Sequence, residues 1–134
     1  MLDRVFGKFF DVQRATATQQ RNGIDRVMVG KEHRQTIHVE YKTDYTAASS
    51  GNAFIEVLCD GKPGWAHTAQ ADFIAYFVPG KHTYIVRPAT LRTHLQKWEG
   101  RFEKRTVSNA GYTATGLIVP LPYLAEISEA IYAL

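Results

Sequence analysis

TIHVEYKT, residues 36–43, is the clearest alternation in the chain. Ile37, Val39 and Tyr41 fall on one side of an extended strand, and His38, Glu40 and Lys42 on the other. Just upstream, IDRVMV (24–29) reads as a second strand, and the polar connection GKEHRQ (30–35), with Gly30 at its start, predicts that the two pair as a hairpin. Asp25 then begins the first strand and is expected to meet Glu40 across the pair. Glu40 and Lys42 are two residues apart, so both project from one face.

Working outward, Leu2, Val5, Phe6, Phe9 and Phe10 recur at three- and four-residue spacing, which predicts a short amphipathic helix. ATATQQRNG (15–23) carries little apolar content and closes on Asn22-Gly23, the signature of a loop or helix end. After the small, polar stretch 43–52, AFIEVLC (53–59) reads as a third strand, followed by a turn at Asp60–Gly64. Ala66, Ala69, Phe73, Tyr76 and Phe77 mark a helical stripe through AHTAQADFIAYFV (66–78), stopped by Pro79-Gly80. HTYIVRP (82–88) alternates as a fourth strand, and TLRTHLQKW (90–98) places Leu91, Leu95 and Trp98 along one helical side. Between Gly100 and Gly116 no period dominates. GLIVP (116–120) resembles a buried strand, and LPYLAEISEAIYAL (121–134) predicts a closing helix with Leu124, Ile127 and Ile131 inward. The expected fold is an α/β sandwich in which a central mixed sheet is flanked by helices.

The 134 residues correspond to one domain, 1–134, with no repeat or low-complexity linker to divide them. Apolar residues make up 45% and charged residues 22%, a composition that buries a core and excludes a disordered tail. A single cysteine, Cys59, excludes an internal disulfide framework and points to a reducing, cytoplasmic setting. No apolar run reaches the roughly 18 residues a membrane helix needs, and the amino terminus has no secretory pattern, so a soluble protein is expected. The five histidines and Cys59 lack zinc-ligand spacing, and no glycine-rich phosphate loop is present. Net charge is only +3, yet it is unevenly spread. Lys81, Arg87, Arg92, Lys97, Arg101, Lys104 and Arg105 face only Glu99 and Glu103 over the same stretch, a basic segment suited to phosphate contacts.

A carboxylate and an ammonium on one face, with a second carboxylate opposite, suit phosphoryl chemistry. The acids bind a hard divalent cation through oxygen, and the ammonium orients water or offsets a phosphate charge. The competing reading is a solvated strand face with a weak ion pair.

Gly23-Ile24-Asp25 and Val39-Glu40-Tyr41-Lys42, set in this order of elements, resemble the PD-(D/E)XK nuclease superfamily, the restriction-endonuclease-like fold that includes junction resolvases. The resemblance covers roughly residues 1–90, and Ile24 stands where many members have proline. It implies metal-dependent phosphodiester cleavage with Asp25, Glu40 and Lys42 as the catalytic set. Asp25, Glu40 and the Tyr41 carbonyl would be the ligands of Mg²⁺, with Mn²⁺ as a substitute. Asp11, Gln20, Glu56 and Gln70 are auxiliary candidates. The implied activity is a DNA endonuclease, with branched or structured DNA as a candidate substrate. A homodimer would place two sites across two strands. The alternative is a nucleic-acid-binding protein that keeps the fold without turnover.

Overall fold

Two apolar faces of one strand pair decide how the layers stack. A computed structural model describes residues 1–133 and shows a mixed α/β protein built on two sheets. In chain order the elements begin with helix α1 (Leu2–Phe6), strand β1 (Phe10–Arg14), helix α2 (Ala17–Arg21), and strands β2 (Arg26–Gly30) and β3 (Thr36–Thr43). Helix α3 (Ala47–Ser50), strands β4 (Asn52–Cys59) and β5 (Lys62–Pro63), helix α4 (Trp65–Thr68), and strands β6 (Phe73–Val78) and β7 (His82–Val86) follow. The chain continues with helix α5 (Pro88–Glu99), strands β8 (Lys104–Asn109) and β9 (Tyr112–Pro120), helix α6 (Leu121–Glu126) and strand β10 (Ala130–Ala133). The larger sheet has the order β1-β2-β3-β6-β7-β10, and the smaller β5-β4-β9-β8. Only β3 and β6 run parallel; every other pairing is antiparallel. Among the described residues no helix is long and apolar enough to cross a membrane.

The hairpin expected from residues 24–43 forms, with Arg26 opposite Val39 and Met28 opposite Ile37. One face of β3 carries Val39 and Tyr41 into a cluster with Leu2, Phe6, Met28 and Ala75, covered by α1. The other face of the large sheet meets the small sheet and α5. Ile74, Tyr76, Val78 and Val86 pack there against Ile55, Leu117, Leu91 and Leu124 in the larger core. The strand expected at 53–59, the strand at 82–88 and the helix at 90–98 all appear. The third strand joins the second sheet rather than the central one.

Three expected helices are shorter than the periodicity suggested. Over 66–78 only the first residues are helical, and Phe73–Val78 is the strand β6. Its two neighbours, β3 and β7, and the layers on both faces bury Ile74, Ala75, Tyr76 and Val78. A strand buried on both sides is apolar throughout, and such a run also contains every third and fourth position of a helix. At the amino terminus the helix ends at Phe6, and Phe10 belongs to the edge strand β1, where Phe10 and Val12 pack inward. At the other end α6 stops at Glu126, and Ala130–Ala133 pairs with β7. Ile131, expected inward, is 43% exposed there; Leu134, the last residue of the expected helix, lies outside the described residues. The undecided stretch 100–116 contains β8 and its hairpin with β9, which turns at Gly111 with φ +87°.

Asp44 ties the layers together just beyond β3. Its Oδ1 accepts from the Ala47 N–H at 2.9 Å and starts α3. Its Oδ2 accepts from the Phe54 N–H on β4 at 3.1 Å and from the Tyr76 hydroxyl on β6. Burial and the adjacent carboxylate push the Tyr76 hydroxyl well above the usual tyrosine range, so it remains a donor. Asp44→Ala takes the acceptor from the Ala47 N–H and leaves the Phe54 N–H and the Tyr76 hydroxyl only each other's residue as partner, and should lower unfolding free energy by about 1–3 kcal/mol in urea titration. Asp11→Ala, at an exposed ion pair with Arg34, should change it by no more than about 0.5 kcal/mol.

Candidate functional site

Glu40 is the only charged residue in the buried class among the described residues, at 5% exposure, and it lies in the middle of β3. Its Oε1 is 3.2 Å from the Lys42 ammonium. Its Oε2 is buried and has no hydrogen-bond partner. Such an oxygen is costly unless something positive occupies the space in front of it. Burial pushes the Glu40 carboxyl above the usual range; Lys42 opposes this shift, and the charges of Asp25 and Glu56 add to it.

Asp25, just before β2 rather than in it, bonds to β3 on both sides of Glu40 in sequence. Its N–H donates to the Val39 carbonyl at 2.9 Å, and its Oδ2 accepts from the Tyr41 N–H at 2.8 Å. The chain approaches through Gly23, at φ +75°, a backbone conformation that favours glycine. A Cβ there would lie 3.3 Å from Glu40 Oε2 and 3.1 Å from the Ala69 Cα, so a glycine lets the chain pack directly against this side of the carboxylate. The Gln70 N–H donates to the Asn22 carbonyl at 3.1 Å and holds the two segments together.

Glu56, on β4, reaches the same region from the other sheet. Its Oε1 accepts from the Trp65 N–H at 3.3 Å, and the Trp65 ring lies 5.6 Å from the Lys42 ammonium. No spacing rule in the sequence links Trp65 to Lys42; the chain turns back through Gly64 to bring them together. Lys42 is about one-third exposed, so the pair opens to solvent on the lysine side. Among the described residues no group of three or more His, Cys, Asp or Glu side chains is arranged to hold a metal ion.

The other candidates are distributed as follows. The Tyr41 side chain turns to the opposite face of the sheet, where its hydroxyl donates to Asp3 Oδ1 at 2.8 Å and its ring stacks on Phe6. Asp11 pairs with Arg34 at 3.2 Å, at the turn end of the β2–β3 hairpin, while Asp25 is at its open end. Gln20 donates to the Ala15 carbonyl at 3.0 Å, and Ala15 in turn donates to the Asp25 carbonyl. Gln70 has an exposed side chain beside the Gly23 segment.

The basic segment spans several elements. Arg87 pairs with Glu129 and lies over the Phe73 ring, Arg92 donates to the His67 and Ala69 carbonyls, Arg101 donates to the Tyr123 hydroxyl, and Arg105 pairs with Glu103. Lys81, Lys97 and Lys104 are exposed. Arg87 and Arg92 border an open depression of about 660 Å³ with His67, Gln70 and Asp72. Compared with protein-family models, curated proteins and solved structures, the chain matches none.

The raised pKa of Glu40 fixes the sign of a pH effect. A carboxyl whose folded value lies above its unfolded one stabilises the fold below the unfolded value, and that contribution is lost as pH rises through the folded value. Glu40→Gln should therefore melt above the parent at alkaline pH, with the gap closing as pH falls into the ordinary carboxylate range. Paired thermal melts across pH measure it.

Proposed function

We propose that the protein is a metal-dependent nuclease of the PD-(D/E)XK type, hydrolysing DNA phosphodiester bonds. The observation that carries this reading is the buried, partnerless oxygen of Glu40, whose other oxygen lies 3.2 Å from the Lys42 ammonium and whose carboxyl feels the charge of Asp25. Two carboxylates whose charges disfavour each other, one of them buried, suit a hard divalent cation, Mg²⁺ or Mn²⁺. Asp25 and Glu40 would hold it, with the Tyr41 carbonyl as a further oxygen. When bound, the cation supplies Lewis-acid stabilisation of charge on the phosphate oxygens.

The protein's own residues do the rest. Lys42, on the solvent-facing side of the pair, orients the attacking water and offsets charge at the scissile phosphate. Asp25, fixed by the Tyr41 N–H, keeps its second oxygen directed by backbone geometry rather than by a flexible side chain. Arg87 and Arg92, in the depression beside Gln70, offer guanidinium groups to neighbouring phosphates, and Lys97 and Lys104 extend the positive surface. The two-sheet arrangement with a parallel β3–β6 pair is consistent with a restriction-endonuclease-like sandwich, within which a junction-resolving member or a homodimer is a finer form of the same proposal.

Purified protein should cut DNA with Mg²⁺ or Mn²⁺, and Lys42→Ala should keep its circular dichroism and lose about 10²–10⁴-fold in rate. Metal-free cleavage, or a fully active Lys42→Ala protein, overturns the reading. Salt-dependent binding with no cleavage under any metal points instead to a binding protein on the same fold. If the basic surface contacts the backbone, replacing Lys97 and Lys104 together with alanine should reduce the slope of log affinity against log salt by about 1–2. Filter binding over a salt series measures that slope.

A further inference from the structure

We propose that Trp65 is a positioning residue for Lys42: its indole holds the ammonium beside Glu40 and retains it when a divalent cation takes the carboxylate. The proposal rests on Glu40 being a cation ligand. The Lys42 ammonium has two neighbours, Glu40 Oε1 at 3.2 Å and the Trp65 ring at 5.6 Å. Glu40 is its strong partner in the absence of metal, since the ammonium is the positive charge facing that carboxylate. A divalent ion at Oε2 competes for the same negative charge. Lys42 then loses most of its attraction to Glu40, and on a flexible four-carbon stem it would swing into water unless something else held it. A cation within about 6 Å of an indole face is attracted to it, more strongly where water is partly excluded.

The indole is well placed to do this because it cannot easily move. On one side its ring lies 6.1 Å from the Tyr76 ring, whose hydroxyl is anchored on Asp44. Its backbone N–H is held by Glu56 Oε1, and the preceding Gly64 packs so closely that a Cβ there would meet Glu56 Cγ at 2.8 Å. Glu56 thus acts through Trp65 and needs no direct bond to the lysine.

Tryptophan emission reads the arrangement directly. The chain has two tryptophans, so subtracting the spectrum of Trp65→Phe from that of the parent isolates Trp65. On titration with Mg²⁺ alone, without DNA, the difference emission should change saturably, with the same midpoint as the Mg²⁺-induced rise in Tm. Lys42→Met should still gain Tm with Mg²⁺ but show no emission change. The same emission change in Lys42→Met, a mismatch of midpoints, or a Tm rise with flat parent emission overturns the proposal while leaving Glu40 as a ligand. No Tm rise and no emission change in the parent overturns both. In cleavage assays Trp65→Leu should lower kcat by about 2- to 30-fold at unchanged KM, with Trp65→Phe recovering part of the loss. Full kcat in Trp65→Leu, or a loss confined to KM, also overturns it.

Discussion

A carboxylate buried between two sheets has to be compensated, and Glu40 is compensated on one oxygen only. Desolvation of an isolated charge costs far more than a surface ion pair returns, so the local architecture around Glu40 is arranged to limit that cost. Lys42 faces one oxygen, and a glycine rather than a side chain stands next to the other. A fold selected only for stability would replace such a group with an apolar residue of similar size. Its presence at the centre of β3 is the feature on which the proposed site rests.

The layers are organised so that this strand receives neighbours from everywhere. The segment leading into β2 supplies Asp25, the small sheet supplies Glu56, α4 supplies Trp65, and the segment between α4 and β6 closes over Gly23. Asp44 and Tyr76 lock β3, β4 and β6 at the neighbouring end of the same face. The opposite face of β3 is sealed by α1 with an apolar cluster and carries the Tyr41–Asp3–Arg26 network. One strand therefore has a structural side and a chemical side, divided by its alternation.

That alternation is why the hairpin and the shared face of Glu40 and Lys42 were legible in the sequence: a half-buried strand prints its period directly. The errors have an equally physical origin. FIAYFV, buried on both faces, has no alternation to show, and its apolar residues satisfy a helical stripe just as well. Phe9 and Phe10 extend the helical spacing of the amino terminus although Phe9 is 67% exposed and Phe10 starts a strand. β8 is exposed at nearly every position, so it carries no hydrophobic signal at all and is held by its hairpin with β9. Trp65 was invisible as a site residue because its role depends on a turn through Gly64 and on packing against Tyr76, and neither is encoded by local spacing.

The parallel pairing of β3 with β6 requires a crossover, and here that crossover runs out into the other sheet as β4 and β5 and returns through α4. The two layers are consequently interleaved along the chain rather than stacked as separate units. β6 docks beside β3 only after a long loop has closed, the kind of non-local contact that forms late because its entropy loss precedes its reward. The surroundings of Glu40 are thus gathered from segments far apart in the chain, and the same contacts that bury its carboxylate are the ones with the longest loops to close.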